Sequence, residues 1–222
     1  MSRTVFIAGA GTGIGKTYVT AALVRRLRAE GRDVRALKPI ASGVPPTGDP
    51  AFADSDTARL LAAQGIPVTP ESIEACSPWR YAAALAPDQA AAIEGRAAVL
   101  SGIVAWCRAR IAVADGAVLI EGVGGLMSPV TAEATGLGWL RALGCPALLV
   151  SGSYLGAISH ALTACEACRA HGVPLAAVVV NASVGAPTPP ETVADAIRRH
   201  VQMPVIVLAR DAPCPDALAA LV

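Results

Sequence analysis

Short apolar runs rich in β-branched residues alternate along the chain with longer alanine- and leucine-rich segments whose apolar positions recur at helical spacing. That alternation predicts repeated βα units and a parallel sheet. Strands are expected at 4–8, 33–38, 117–120, 147–151, 176–181 and 205–208, and helices at 15–30, 56–64, 88–93, 97–113, 137–143, 158–170 and 191–201. Several strand runs, ALLVS at 147–151 among them, carry apolar residues at consecutive positions, as strands covered on both faces must. Gly31, Gly65, Gly144 and Gly172 stand where helix C-terminal glycines belong. The stretches 43–53, with Pro45, Pro46, Gly48 and Pro50, and 185–190 read as loops. The expected fold is α/β: a three-layer, doubly wound, mostly parallel sheet with helices on both faces, residues 1–222 forming a single domain. Ligands in such sheets gather at the carboxyl ends of the strands.

Composition narrows the function classes. Hydrophobic residues make up 54% of the chain, but alanine dominates the count and no stretch approaches the ~18 uninterrupted apolar residues of a spanning helix. The opening MSRTVFIAGAG enters a strand and a glycine loop at once, unlike a secretory signal, so a cytoplasmic, non-membrane protein is expected. Net charge is +1 with the arginines scattered, which predicts no nucleic-acid partner. Cys165 and Cys168 form a C-x-x-C pair inside an apolar helical pattern; without a second pair they read as buried thiols rather than a zinc or redox site.

The basic residues are the informative anomaly. Of eighteen, only Lys16 and Lys38 are lysine, and each lies in a motif-like segment. Lys16 closes Gly9-Ala10-Gly11-Thr12-Gly13-Ile14-Gly15-Lys16-Thr17 between the first strand and the first helix. Glycines there let backbone N–H groups turn toward a phosphate, the helix N-terminus adds its positive end, a lysine reaches the outer phosphates and Thr17 offers a hydroxyl to Mg²⁺. The spacing is one residue longer than G-x-x-x-x-G-K-[ST], since Ala10 stands where the first glycine belongs. It is no dinucleotide fingerprint either, because Lys16 holds the third glycine position.

Lys38 opens KPIASG after the second strand, at the same sheet edge, where a second ammonium can face a transferred phosphoryl group. Glu121 ends an apolar strand and precedes Gly122-Val123-Gly124-Gly125, the position of a Mg²⁺-side carboxylate in enzymes with a phosphate loop. Asp54 and Asp56 begin the helix after the proline-rich loop, and either fits as a further ligand or as a helix-end acid.

Taken in order, GAGTGIGKT, KPIASG, Ser55-Asp56, VLIEGVGGLMSPV, LGAISH at 155–160 and Asn181 at a strand end resemble the dethiobiotin synthetase family. The resemblance runs through most of the chain and implies a P-loop NTPase-like fold. It also implies an ATP- and Mg²⁺-dependent reaction joining 7,8-diaminopelargonate with CO₂ (bicarbonate) in a homodimer. By motif position it implies ATP contacts at Thr12, Gly13, Ile14, Gly15, Lys16, Thr17, Tyr18, Gly122, Val123 and Gly124, with adenine at Asn181. It further implies Mg²⁺ at Thr17, Asp56 and Glu121, and catalysis by Lys38 with Lys16 and Thr12. The substrate would meet Ser42 and, across the dimer interface, Leu155 and Gly156. Residues 205–210 lack the family's usual ending. The rival reading is a partition-type or regulatory ATPase, whose loop has an extra lysine where Ala10 and Gly11 stand.

Overall fold

The first strand sets the layering. In Thr4–Gly9 (β1), Phe6 and Ala8 enter one core while Val5 and Ile7 enter the other, so period-2 alternation feeds two apolar layers. The computed structural model describes residues 3–222. After β1 come Lys16–Ala29 (α1), Val34–Leu37 (β2), Ile40–Ser42 (β3), a 3₁₀ turn at Pro50–Asp54, Asp56–Ala63 (α2), Pro70–Cys76 (α3) and Trp79–Tyr81 (β4). Pro87–Ile93 (α4), Leu100–Ala112 (α5), Ala117–Glu121 (β5), Pro129–Thr131 (β6), Ala134–Thr135 (β7) and Gly136–Leu143 (α6) follow. Ala147–Ser151 (β8), Ala157–Ala170 (α7), Leu175–Asn181 (β9), Pro190–Arg198 (α8), Val205–Leu208 (β10) and Asp216–Ala219 (α9) complete the order.

Six strands form one sheet in the order β10-β9-β8-β1-β5-β2, with every pairing parallel. Residues of α1, α2, α3 and α9 fill one core, and residues of α4, α5, α6, α7 and α8 fill the other. The chain leaves β1 for the edge strand β2, returns to β5 on one side of β1, then crosses to β8 on the other. The carboxyl end of β1 is therefore a switch point, where a crevice opens.

All six predicted strands and seven predicted helices are present, with ends shifted by up to three residues. Gly31, Gly65, Gly144 and Gly172 have φ of 74°, 67°, 71° and 66°, the left-handed conformation that ends helices. Part of the stretch expected as loop is the 3₁₀ turn at Pro50–Asp54, started by the Asp49 carboxylate accepting from Ala51 N–H at 2.8 Å. Elements beyond the prediction are short: α3, the two-strand pairs β3–β4 and β6–β7, and α9. The parallel β3–β4 pair matters for the site. It sets Ser42 opposite Tyr81, and Gly43 N–H donates to the Ala83 carbonyl at 2.9 Å, which brings residues 82–87 alongside Ser42. Cys165 and Cys168 are free, buried thiols in α7, and among the described residues no group of three His, Cys, Asp or Glu gathers as a metal cluster. No helix among the described residues is long and apolar enough to cross a membrane.

Candidate active site

The strand ends deliver the chemistry. Loop 10–15 leaves β1 and is held by two backbone bonds, Ala10 N–H to Val150 O at 2.8 Å and Leu126 N–H to Gly9 O at 2.7 Å. At Gly9 a Cβ would stand 2.9 Å from the Gly11 carbonyl and 3.0 Å from the Gly124 carbonyl, so only glycine lets the two loops approach. Gly15 caps α1 at φ 91°, and a Cβ there would overlap the Asn181 amide. No side chain caps this helix and its first turn holds no acid, so its N-terminal donors and positive dipole end face the crevice free for an anion.

Lys16 is 7% exposed, and its ammonium donates to the Gly124 carbonyl at 2.6 Å and the Gly11 carbonyl at 3.1 Å. Burial, then repulsion from Lys38, lower its pKa to about 8 against the attraction of Glu121 and Asp56. Lys38 lies one residue past β2 and is 2% exposed. Its ammonium donates to Glu121 Oε1 at 2.6 Å and the Gly122 carbonyl at 2.9 Å, and pairs with Asp56 Oδ2 at 3.0 Å. Burial opposes its charge, but the attraction of Glu121 and Asp56 outweighs that and raises its pKa above the ordinary lysine value. The Asp56 carboxyl is likewise partly desolvated, yet Lys38 first and the Thr17 hydroxyl next hold it below its usual range.

Glu121, fully buried at the end of β5, accepts on Oε1 from the Thr17 hydroxyl at 2.7 Å as well as from Lys38. Its other oxygen, Oε2, is buried with no hydrogen-bond partner among the described residues. An unpartnered buried carboxylate oxygen is costly, and a hard cation beside Thr17, Glu121 and Asp56 would satisfy it. An oxygen-only set with few protein donors fits Mg²⁺, which keeps several waters. Of the two aspartates, Asp56 is the one turned onto Lys38, at 3.0 Å, whereas Asp54 points to solvent and pairs with Arg59 at 3.0 Å.

These groups surround a cavity of about 550 Å³. Of the residues picked out in the sequence, Thr12, Gly13, Gly15, Lys16, Thr17, Tyr18, Lys38, Ser42, Asp56, Val123 and Gly124 line it. Four others lie behind the lining. Glu121 and Gly122 hold Lys38, while Asn181 donates its Nδ2 to the Ile14 carbonyl at 3.1 Å and leaves Oδ1 buried without a partner among the described residues. Leu155 and Gly156 are not brought into this cavity; they line a separate one of about 460 Å³ at the start of α7, and Leu155 is 89% exposed. The structure adds lining residues that the sequence reading passed over: Arg59, Ala84 to Pro87 and Ser128. Arg59 was visible as the residue three after Asp56 on one helix face. Residues 84–86 carried no chemical signal, because only the β3–β4 pairing brings them to Ser42.

A lysine, a threonine and two carboxylates gathered on a glycine loop between a central parallel strand and its helix define a phosphate-loop nucleotide-binding protein. Solved structures agree on the fold. The chain is similar to the septum site-determining protein MinD of Pyrococcus horikoshii complexed with Mg-ADP, with a TM-score of 0.54 at 18% identity over 100% of this chain and 87% of that one. It is also similar to a ParA family ATPase from Chlorobium tepidum, with a TM-score of 0.52 at 15% identity over 99% of this chain and 90% of that one. A family model described as an AAA domain matches residues 3–209.

The sequence relatives are more specific. The ATP-dependent dethiobiotin synthetase of Methylobacterium nodulans is 67% identical over 96% of this chain and 95% of its own length. That of Acidiphilium cryptum is 44% identical over 88% and 87%, and that of Caulobacter vibrioides 48% identical over 83% and 82%. The chain belongs to the ATP-dependent dethiobiotin synthetase family.

Proposed function

We propose that the protein, as a cytoplasmic single-domain enzyme, converts 7,8-diaminopelargonate, CO₂ and ATP to dethiobiotin, ADP and phosphate. The observation that carries this reading is the placement of Lys38. It is a buried ammonium held by two carboxylates and a carbonyl, lining one cavity together with residues of the phosphate loop and Ser42.

The reaction divides into three balanced steps. One amine adds to CO₂ and releases a proton, giving a carbamate. A carbamate oxygen then bonds to the γ-phosphorus of ATP as the bond to the β–γ bridging oxygen breaks and ADP leaves with that electron pair. The second amine attacks the carbonyl of the mixed anhydride, phosphate departs with a proton from that amine, and the ureido ring closes.

Lys38 stabilises the carbamate oxygens and the charge spreading over the transferring group, an effect of ~3 kcal/mol for a well-aimed donor. Lys16 moves from its two carbonyls to the outer phosphates, while Thr12, Gly13, Gly15 and Tyr18, with Val123 and Gly124 in the same lining, cradle the chain of phosphates. Mg²⁺ bound by Thr17, Asp56 and Glu121 would neutralise phosphate charge. Asn181 Oδ1, the unpartnered buried acceptor, suits the exocyclic amine of adenine. Ser42 orients the diamine. Leu155 and Gly156, just before the first residue of α7 and beside their own cavity, receive the substrate carboxylate of a second copy in a homodimer.

Phosphate release from ATP and Mg²⁺ is expected only with both the diamine and bicarbonate present; release at a comparable rate without the diamine would overturn the proposal. A second expectation concerns pH. With Lys16 near pKa 8 in the free protein, ATP binding should weaken as pH rises through about 8, taking up one proton per nucleotide bound above that value. The stability slope has the opposite sense. A lysine depressed in the folded state binds fewer protons there than when unfolded, so its contribution to stability rises with pH between about 8 and 10.5. Titrations of ATP affinity and of the denaturation midpoint from pH 7 to 10, against Lys16→Met, check both signs; a variant with the same two slopes would remove Lys16 from them.

A further inference from the structure

The cavity holds a third cation that neither the motif positions nor the reaction above employ. Arg59 lines it from α2, one helical turn after Asp56 and on the same face. Asp56 in turn touches the Lys38 ammonium at 3.0 Å, so Arg59 shares the cavity with both lysines and stands one turn along the helix from a residue in contact with Lys38. Its only ion-pair partner among the described residues is Asp54 at 3.0 Å, with the side chains 58% and 82% exposed. So exposed a pair adds little stability and exchanges readily for a stronger anion. Among the described residues it is the one arginine lining the cavity, and its planar five-donor fork matches two phosphoryl oxygens where a lysine offers a point charge.

We propose that Arg59 leaves Asp54 and clamps the γ-phosphoryl group of ATP, a third positive contact on the group that Lys16 and Lys38 also face. This rests on the reading of the cavity as the ATP site. The transfer is the one written above; Arg59 forms no covalent bond and supplies two N–H donors to γ-phosphate oxygens as the carbamate oxygen approaches phosphorus. Because ADP lacks that group, the contact separates ATP from ADP.

The test is nucleotide titration and turnover of Arg59→Gln, Arg59→Ala and Asp54→Asn. Arg59→Gln should bind a non-hydrolysable ATP analogue about ten- to a hundredfold more weakly and ADP unchanged, with kcat reduced by a similar factor. Added guanidinium should restore part of the turnover of Arg59→Ala, which a merely structural residue would not show. Asp54→Asn, which removes the tether and keeps the cation, should bind the analogue at least as tightly as the parent. Equal shifts for the analogue and ADP, no shift in either, or a loss in Asp54→Asn matching that of Arg59→Gln would each overturn the proposal. The titrations need no diamine, so they decide on Arg59 even if the parent protein fails to release phosphate with it, a failure that would count against the reaction instead.

Discussion

Lys38→Arg is expected to bind ATP about as tightly as the parent and to turn over roughly 10²–10³-fold more slowly. Charge is conserved in this change, so the effect isolates geometry. The Lys38 ammonium sits among Glu121 Oε1, the Gly122 carbonyl and Asp56 Oδ2 at 2.6, 2.9 and 3.0 Å, a cup matched to a compact tetrahedral donor. The site is 2% exposed, leaving no space for a longer planar guanidinium without displacing the strand ends that shape the cavity. Nucleotide binding survives because it rests on other groups: the loop backbone, the free N-terminal donors of α1, and Lys16 on its own two carbonyls. Steady-state kcat and a titration with a non-hydrolysable ATP analogue check the split. Undiminished turnover would show that Lys38 holds Glu121 in place and does no more; joint loss of binding and turnover would show that arginine had collapsed the cavity.

The two lysines explain how much of the site is legible in the sequence alone. In a chain whose other basic residues are arginine, a lysine marks a place where guanidinium does not fit, and both buried ammonium cups have that character. The strands were legible as short apolar runs, and runs such as ALLVS are buried at every position, as a strand covered on both faces must be. What stayed hidden depends on contacts between distant segments. The strand β4 is only WRY, and its identity comes from pairing with β3 thirty-nine residues earlier, Ile40 opposite Trp79. The helix α3 carried a local signal, Thr69 and Ser72 capping each other around Pro70, but its seven residues are too few for a helical period to show. Asp54 and Asp56 illustrate the limit best. Two carboxylates two positions apart at a helix start look alike in sequence, and only the fold turns one onto Lys38 and the other onto Arg59 in solvent.

The same cup makes Glu121 the most sensitive position for stability. Glu121→Ala is expected to cost about 3–5 kcal/mol near neutral pH, a large share of the ~5–15 kcal/mol that typically separates folded from unfolded states. The loss comes less from the missing carboxylate than from what remains, a buried Lys38 ammonium whose one other carboxylate partner, Asp56, is 45% exposed at its side chain. In the parent, Lys38 has a raised pKa, so the stability it contributes is fully present below the ordinary lysine value of 10.5 and is lost only as pH rises through the raised one. In the variant, burial dominates and the pKa falls below 10.5, so the folded state sheds a proton that the unfolded state keeps, and stability climbs with pH toward 10.5. The gap between parent and variant should therefore narrow as pH rises, measured as urea-denaturation midpoints between pH 6 and 10. Glu121→Gln, which retains an acceptor for Thr17, should show the same narrowing from a smaller starting gap. A gap that stays constant across that range would mean that lost packing at the end of β5, and not the stranded charge of Lys38, sets the cost.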